Sequence, residues 1–124
     1  MPLEMSVDRV SATCAVAAIR GGLTMGTSMK LIETELQRII GEGVHQLVLD
    51  LTDCGYSDSA GLGFLVYTFG LISQKGGRLR LCGVSDRIKE MLVTTMTDKI
   101  LPCDPTPTDS LAKLSEGGTV EKPN

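Results

Sequence analysis

The chain has 124 residues, 42% of them hydrophobic, which is enough for one core of ordinary size and leaves no length for a second domain. Its 12 basic and 15 acidic residues give a formal charge of −3, and 3% of its residues are aromatic. With no basic run either, neither a phosphate-tracking nor a base-stacking surface is expected, and direct nucleic-acid binding is set aside. The opening MPLEMSVDRV has neither the positive region nor the apolar stretch of a signal peptide, and no segment approaches the roughly 20 apolar residues of a membrane span. A cytoplasmic protein without a membrane segment is expected. Cys14, Cys54, Cys82 and Cys103 lie far apart, with no CxxC pair and with His45 as the single imidazole, so no metal site, zinc included, and no disulfide framework is expected. They read as small apolar fillers at strand positions.

Glu4 to Arg9 is a candidate first strand, positioned to pair with the apolar run Thr13 to Ile19 (TCAVAAI). Met25, Met29, Ile32, Leu36, Ile39 and Ile40 recur at three- and four-residue steps, which predicts one apolar helix face ending near Gly41 and Gly43. Thr24 or Thr27 can cap that helix. Gln46 to Leu51 (QLVLDL) is apolar at nearly every position, as an inner strand covered by helices should be. After a turn-rich stretch, Thr52 to Asp58, the helical period returns from Ala60 through Leu62, Leu65, Val66, Phe69 and Ile72. It closes at Lys75, Gly76 and Gly77.

Arg78 to Cys82 (RLRLC) predicts a further short strand. A third helix should follow, with Ser85 as N-cap, Asp86 in its first turn, and Ile88, Met91, Leu92 and Met96 on its buried face. Prolines at 102, 105 and 107 break any long element, Asp109 to Leu114 suits a short last helix, and SEGGTVEKPN over 115–124 reads as a flexible tail. Strands alternating with helices imply parallel crossovers. The expected fold is a single α/β domain over residues 1–114, with a small, mixed, mostly parallel sheet and helices packed on it.

One segment stands out: the inner strand VLDLT, the turn DCGYS, and DSAGLGFL opening a helix. It puts Ser59 where a strand hands over to a helix N-terminus, whose unpaired N–H groups and partial positive charge suit an anion. The amides of Ala60, Gly61 and Leu62 are candidates to receive anionic oxygens, and Gly61 removes a side chain that would crowd the approach. Composition and spacing equally allow Ser59 or Asp58 to be an ordinary N-cap, with Gly61 and Gly63 there for close packing of helix on sheet. A serine hydrolase would need a base held against its nucleophile, and His45 is a lone turn histidine; the local string is also not GxSxG. No GxxxxGK[ST] loop is present to hold ATP. No enzymatic activity and no cofactor are expected.

The string LVLDLTDCGYSDSAGLGFL, followed by KGGRLRLCGVSDRIKEML, resembles the STAS domain of bacterial anti-sigma factor antagonists, over residues 5 to 114 or so. The resemblance implies a STAS-like fold with Ser59 as the phosphorylation target. It also implies a partner switch: the unphosphorylated chain binds an anti-sigma serine kinase of the GHKL type and frees sigma factor, phosphorylation ends the complex, and a separate serine phosphatase resets it. Asp58, Gly61, Leu62, Gly63 and Thr24 are the expected partner-binding residues around Ser59, and Tyr56 and Ser57 are alternative acceptors. The sequence departs from the family at Gly21 to Thr24, where GGLT replaces the common GELD and both acids are lost. That departure leaves room for a constitutive STAS adaptor of a transporter or sensory complex, with no phosphorylation, and for a STAS domain that binds a nucleotide or other small anion at the same helix N-terminus.

Overall fold

A computed structural model describes residues 3–120. Its sheet has five strands in the order β1-β2-β3-β4-β5. They are β1 (Glu4–Arg9), β2 (Cys14–Arg20), β3 (Gln46–Asp50), β4 (Arg78–Cys82) and β5 (Cys103–Asp104). Between them run α1 (Thr27–Gly41), α2 (Ser59–Gln74) and α3 (Asp86–Thr94), and α4 (Pro107–Val120) follows β5. β1 and β2 pair antiparallel from Glu4↔Arg20 to Arg9↔Ala15, and every later pairing is parallel. The mixed, mostly parallel α/β sheet expected from the sequence is therefore the one observed.

Alternation along the strands sorts the two sheet faces. Ala15, Ala17, Ile19, Leu47, Leu49, Leu79 and Leu81 are buried in the main core with Ile32, Leu36, Phe64, Leu65, Ile72, Ile88 and Leu92 from α1, α2 and α3. The intervening residues Val48 and Cys82 form a smaller cluster with Leu114 of α4, joined by Val16 and Leu111. Helix α4 is held to that face by polar contacts as well. Arg80 Nε donates to Asp104 Oδ2 at 2.6 Å, and the buried Ser110 hydroxyl donates to the same oxygen at 2.7 Å. One carboxylate thus ties β4, β5 and α4 together.

Helix ends follow the local chemistry. Asp58 caps α2, and the Ser85 hydroxyl caps α3 by accepting from the Ile88 N–H at 3.2 Å. At the end of α2 the Gly76 N–H donates to the Ser73 carbonyl at 2.9 Å with φ at 75°, a conformation that favours glycine. Gly77 then passes so near His45 that a β-carbon would overlap the His45 carbonyl. This close approach sets β4 beside β3 in its observed register, Gln46↔Arg78.

Several expectations are corrected. Met25 lies ahead of α1 and is 77% exposed, and Met96, 67% exposed, lies past α3 with φ at 63°, so neither joins a buried helix face. Neither Thr24 nor Thr27 caps α1, whose N-cap is Gly26 with no side-chain hydrogen bond. Cys14 and Cys82 are buried strand residues as expected, but Cys54 is buried in a loop and Cys103 is exposed on β5. β5 lies where the prolines at 102, 105 and 107 are expected to break any long element. Helix α4 runs well past Leu114, so residues 115–120 of the expected tail are helical, and residues 121–124 lie outside the described part.

Candidate functional site

The site lies at the carboxyl ends of β2 and β3, where two loops meet. Leu23, in the loop after β2, forms a parallel bridge with Ser57, in the loop after β3. The Leu23 N–H donates to the Tyr56 carbonyl at 3.0 Å and the Asp58 N–H to the Leu23 carbonyl at 3.2 Å. These bonds continue the sheet pairing for a residue or two beyond the strands, and so fix where α2 begins.

Asp58 uses both carboxylate oxygens. Oδ1 accepts from the Gly61 N–H at 2.9 Å, capping α2, and Oδ2 accepts from the Met25 N–H at 3.0 Å across the loop. The amides of Met25 and Gly61, with that of Ala60, hold the Asp58 carboxyl below the usual aspartate range. The Leu62 N–H donates to the Asp58 backbone carbonyl at 3.1 Å. This corrects the expectation that the amides of Ala60, Gly61 and Leu62 stand ready for a ligand's oxygens: those of Gly61 and Leu62 already have acceptors. Asp58, not Ser59, is the cap.

Ser59 is the first residue of α2 and is exposed. No hydrogen bond holds its hydroxyl among the described residues, whereas the Ser57 hydroxyl donates to the Asp58 carbonyl at 2.9 Å. Gly61 is buried, and a β-carbon there would overlap the Leu23 carbonyl oxygen and Ser57 Oγ. Its role is the close approach of α2 to the β2 loop and not the clearing of an outer surface. Leu62 is half-buried against the core, while Gly63 is exposed with open space around it. Thr24 is half-buried, its N–H donating to the Gly22 carbonyl at 3.0 Å.

Besides Leu23, further residues join the site that sequence reasoning did not place there. Met25 is one, reached only through the Asp58 bond. A β-carbon on Gly22 would overlap the Tyr56 ring, and the guanidinium carbon of Arg87 lies 5.5 Å from that ring's centre. Gly22, where the family pattern has glutamate, thus gives the Tyr56 ring room to lie over the backbone. His45 precedes β3 and Ser59 follows it, so roughly 15 Å of strand separates them and no imidazole stands against the serine hydroxyl. Among the described residues no helix is long and apolar enough to cross a membrane.

The STAS domain family model matches residues 7–110, and the chain belongs to the STAS domain family. An anti-sigma F factor antagonist of Paenibacillus polymyxa is 32% identical over 68 residues, a match covering 55% of this chain and 58% of that protein. The chain thus spans little more than half the length of that curated relative. Among solved structures, the anti-sigma factor antagonist SpoIIAA in its unphosphorylated form superposes with a TM-score of 0.79 at 15% identity, covering 91% of this chain and 97% of that one. A putative anti-sigma factor antagonist from Thermotoga maritima gives 0.82 at 20% identity over 90% of this chain and 94% of that one. At these identities the structures establish the shared fold.

Proposed function

We propose that the chain is an anti-sigma factor antagonist that acts by binding, with Ser59 as its switch. The observation that carries this reading is the exposed, unbonded Ser59 hydroxyl at the first position of α2 beside an ionised Asp58. In its unphosphorylated form the chain binds an anti-sigma serine kinase and sigma factor is released. The kinase supplies ATP: Ser59 Oγ bonds to the γ-phosphorus, the bond to the bridging oxygen of ADP breaks, and the hydroxyl proton passes to a base of the kinase. A separate serine phosphatase hydrolyses the ester and resets the chain. The chain itself contributes the nucleophile and the docking surface, with Asp58, Thr24, Leu62 and Gly63 around Ser59 and Gly61 behind them.

The physical consequence of phosphorylation follows from the site. The group carries about 1.5 to 2 negative charges and three strong acceptors. Beside Asp58 it meets a carboxylate that already occupies the helix N-terminus, and inside a packed interface it adds a large desolvation cost. The complex weakens by several kcal/mol if the phosphate stays buried, while the sheet and core, which Ser59 does not touch, remain folded.

The test is phosphopeptide mapping of the protein from its native host, with a pull-down of bound partners by the natural chain and by Ser59→Ala. Phosphate on Ser59 in the free fraction only, with a kinase retained by Ser59→Ala, supports the switch. An unmodified Ser59 under every growth condition, with a partner held equally by both forms, means a constitutive adaptor. The loss of both acids at Gly22 and Thr24 is the feature that favours this second reading.

A further inference from the structure

Asp58 does two jobs with one carboxylate, and the second reaches a residue far away in sequence. Its Oδ2 is the acceptor for the Met25 N–H at 3.0 Å. Upstream of Met25 the chain is pinned independently, because buried Leu23 is bonded through both its N–H and its carbonyl to the loop before α2. Downstream, Gly26 has φ at 157° and, its chain neighbours aside, no atom within 4 Å of where its β-carbon would be; it caps α1 through its carbonyl alone, which accepts from the Lys30 N–H at 3.3 Å. Met25 therefore sits on a three-residue segment, Thr24 to Gly26, tied down in its middle by Asp58.

Space around that segment allows it to move. Two open pockets adjoin it, one of about 470 Å³ lined by Met25, Gly26, Thr27, Met29, Lys30 and Glu33, and one of about 240 Å³ whose lining includes Gly22, Thr24, Met25 and Tyr56. Met25 is 77% exposed, more than any other large hydrophobic residue among those described. A shift of this segment moves exposed apolar surface next to Ser59 without disturbing the buried core.

We propose that Asp58 is a positioning residue whose hydrogen bond to Met25 couples the Thr24–Gly26 segment to the phosphorylation state of Ser59. The inference rests on the reading of Ser59 as a phosphorylated switch. A phosphoryl group on Ser59 Oγ stands one residue from the Asp58 carboxylate, repels it, and competes for the same α2 amides. The carboxylate turns away, the Met25 N–H loses its acceptor, and the segment is released. Phosphorylation then alters the binding surface in two ways, by adding charge at Ser59 and by freeing Met25.

The test uses the isolated chain in three forms: natural, Asp58→Asn, and carrying genetically encoded phosphoserine at 59. Amide exchange and amide proton shifts are read by NMR at Met25, Gly61 and Leu23. Asparagine has one acceptor oxygen, which suffices to cap Gly61 but leaves Met25 unbonded. The expected result is about tenfold faster exchange and an upfield amide shift at Met25 in both altered forms, with Leu23 unchanged in both and Gly61 still protected in Asp58→Asn. Unchanged Met25 exchange in the phosphorylated chain overturns the inference. Equal loss of protection at Leu23 also overturns it, because Asp58 would then be supporting the whole loop. A host that never phosphorylates Ser59 would defeat the functional reading alone, since the exchange measurement needs no kinase.

Discussion

The α-carbon of Gly61 lies so close to the carbonyl of Leu23 that no β-carbon fits between them. The obstacle is backbone, already bonded to the Asp58 N–H, so relief requires α2 to lift away from the β2 loop. Gly61→Ala is expected to destabilise the fold by about 2 to 3 kcal/mol. Gly63, two residues on, faces open space on the exposed side of the same helix. There alanine should stabilise by about 0.5 to 1 kcal/mol through helix propensity. Urea unfolding of the two variants checks both signs, and equal midpoints would refute the close-approach account.

That contrast also marks what the sequence reveals and what it conceals. Both glycines look alike in DSAGLG, and only the packing of α2 against Leu23 separates them. β1 and β4 fall on the residues expected, Glu4–Arg9 and Arg78–Cys82, because strand alternation and flanking turn residues are local signals. β5 has no such signal. It is two residues between prolines, held by the Leu81 N–H donating to the Pro102 carbonyl at 2.8 Å and the Gly83 N–H to the Asp104 carbonyl at 3.2 Å. Met25 and Met96 continue the apolar spacing of α1 and α3, yet each lies beyond the end of its helix, and periodicity alone does not mark those ends. Likewise Ser59 is legible as a strand-to-helix residue, whereas the Asp58 bond to Met25 spans 33 positions and leaves no pattern in the chain.

Acid should act through Asp104 and Asp58, with the exposed carboxylates of Glu35 and Glu42, lowered by their hydrogen bonds to Arg38 and Arg9, adding to the same limb. Burial works against ionisation of Asp104, but hydrogen bonds from Arg80 and Ser110 outweigh it and hold its carboxyl below the usual range, and backbone amides lower that of Asp58. Each folded-state value thus lies below its unfolded value of about 3.9, so in acid the unfolded chain binds more protons. Their stabilisation is fully present above about pH 5 and is lost as pH falls through the folded values. The urea midpoint should therefore be flat from neutral pH to about pH 5 and then fall.

Asp104→Asn should show a shallower acid decline at a lower overall stability. The substitution leaves the Arg80 guanidinium, largely buried at 15% side-chain exposure, without its counter-charge. A loss of about 3 kcal/mol at neutral pH is expected, and α4 should be the first element to lose amide protection because Ser110 loses its anionic acceptor. An acid limb as steep as in the natural chain would show that other carboxylates dominate.

The absent acids of the GGLT segment can be restored one at a time. Thr24→Asp places a carboxylate at a half-buried position on the segment that carries Met25, with the fold undisturbed. Under the switch reading, a carboxylate at position 24 restores the acid that the family pattern places in this loop and helps orient Ser59 toward the kinase's base, so phosphorylation by the cognate kinase should rise on the order of tenfold. An unchanged rate would remove position 24 from the mechanism.

Gly22→Glu is expected to behave differently, because its β-carbon would overlap the Tyr56 ring. The obstacle here is the far end of a side chain that is 45% exposed, so the ring can swing aside at a cost of about 1 kcal/mol. In doing so it leaves the Arg87 guanidinium, which now lies 5.5 Å from its centre. NMR should show the Tyr56 ring and Arg87 side-chain resonances shifting together, while the Leu23 amide, bonded to the Tyr56 carbonyl and not to the ring, stays in place. Pairing Gly22→Glu with Tyr56→Ala removes the clash, so the double variant should recover the stability that the glutamate costs. If the ring stays over residue 22 and Gly22→Glu is no less stable than the natural chain, then Gly22 is not what lets Tyr56 cover this loop. The lost glutamate would then have to be explained by the partner's surface.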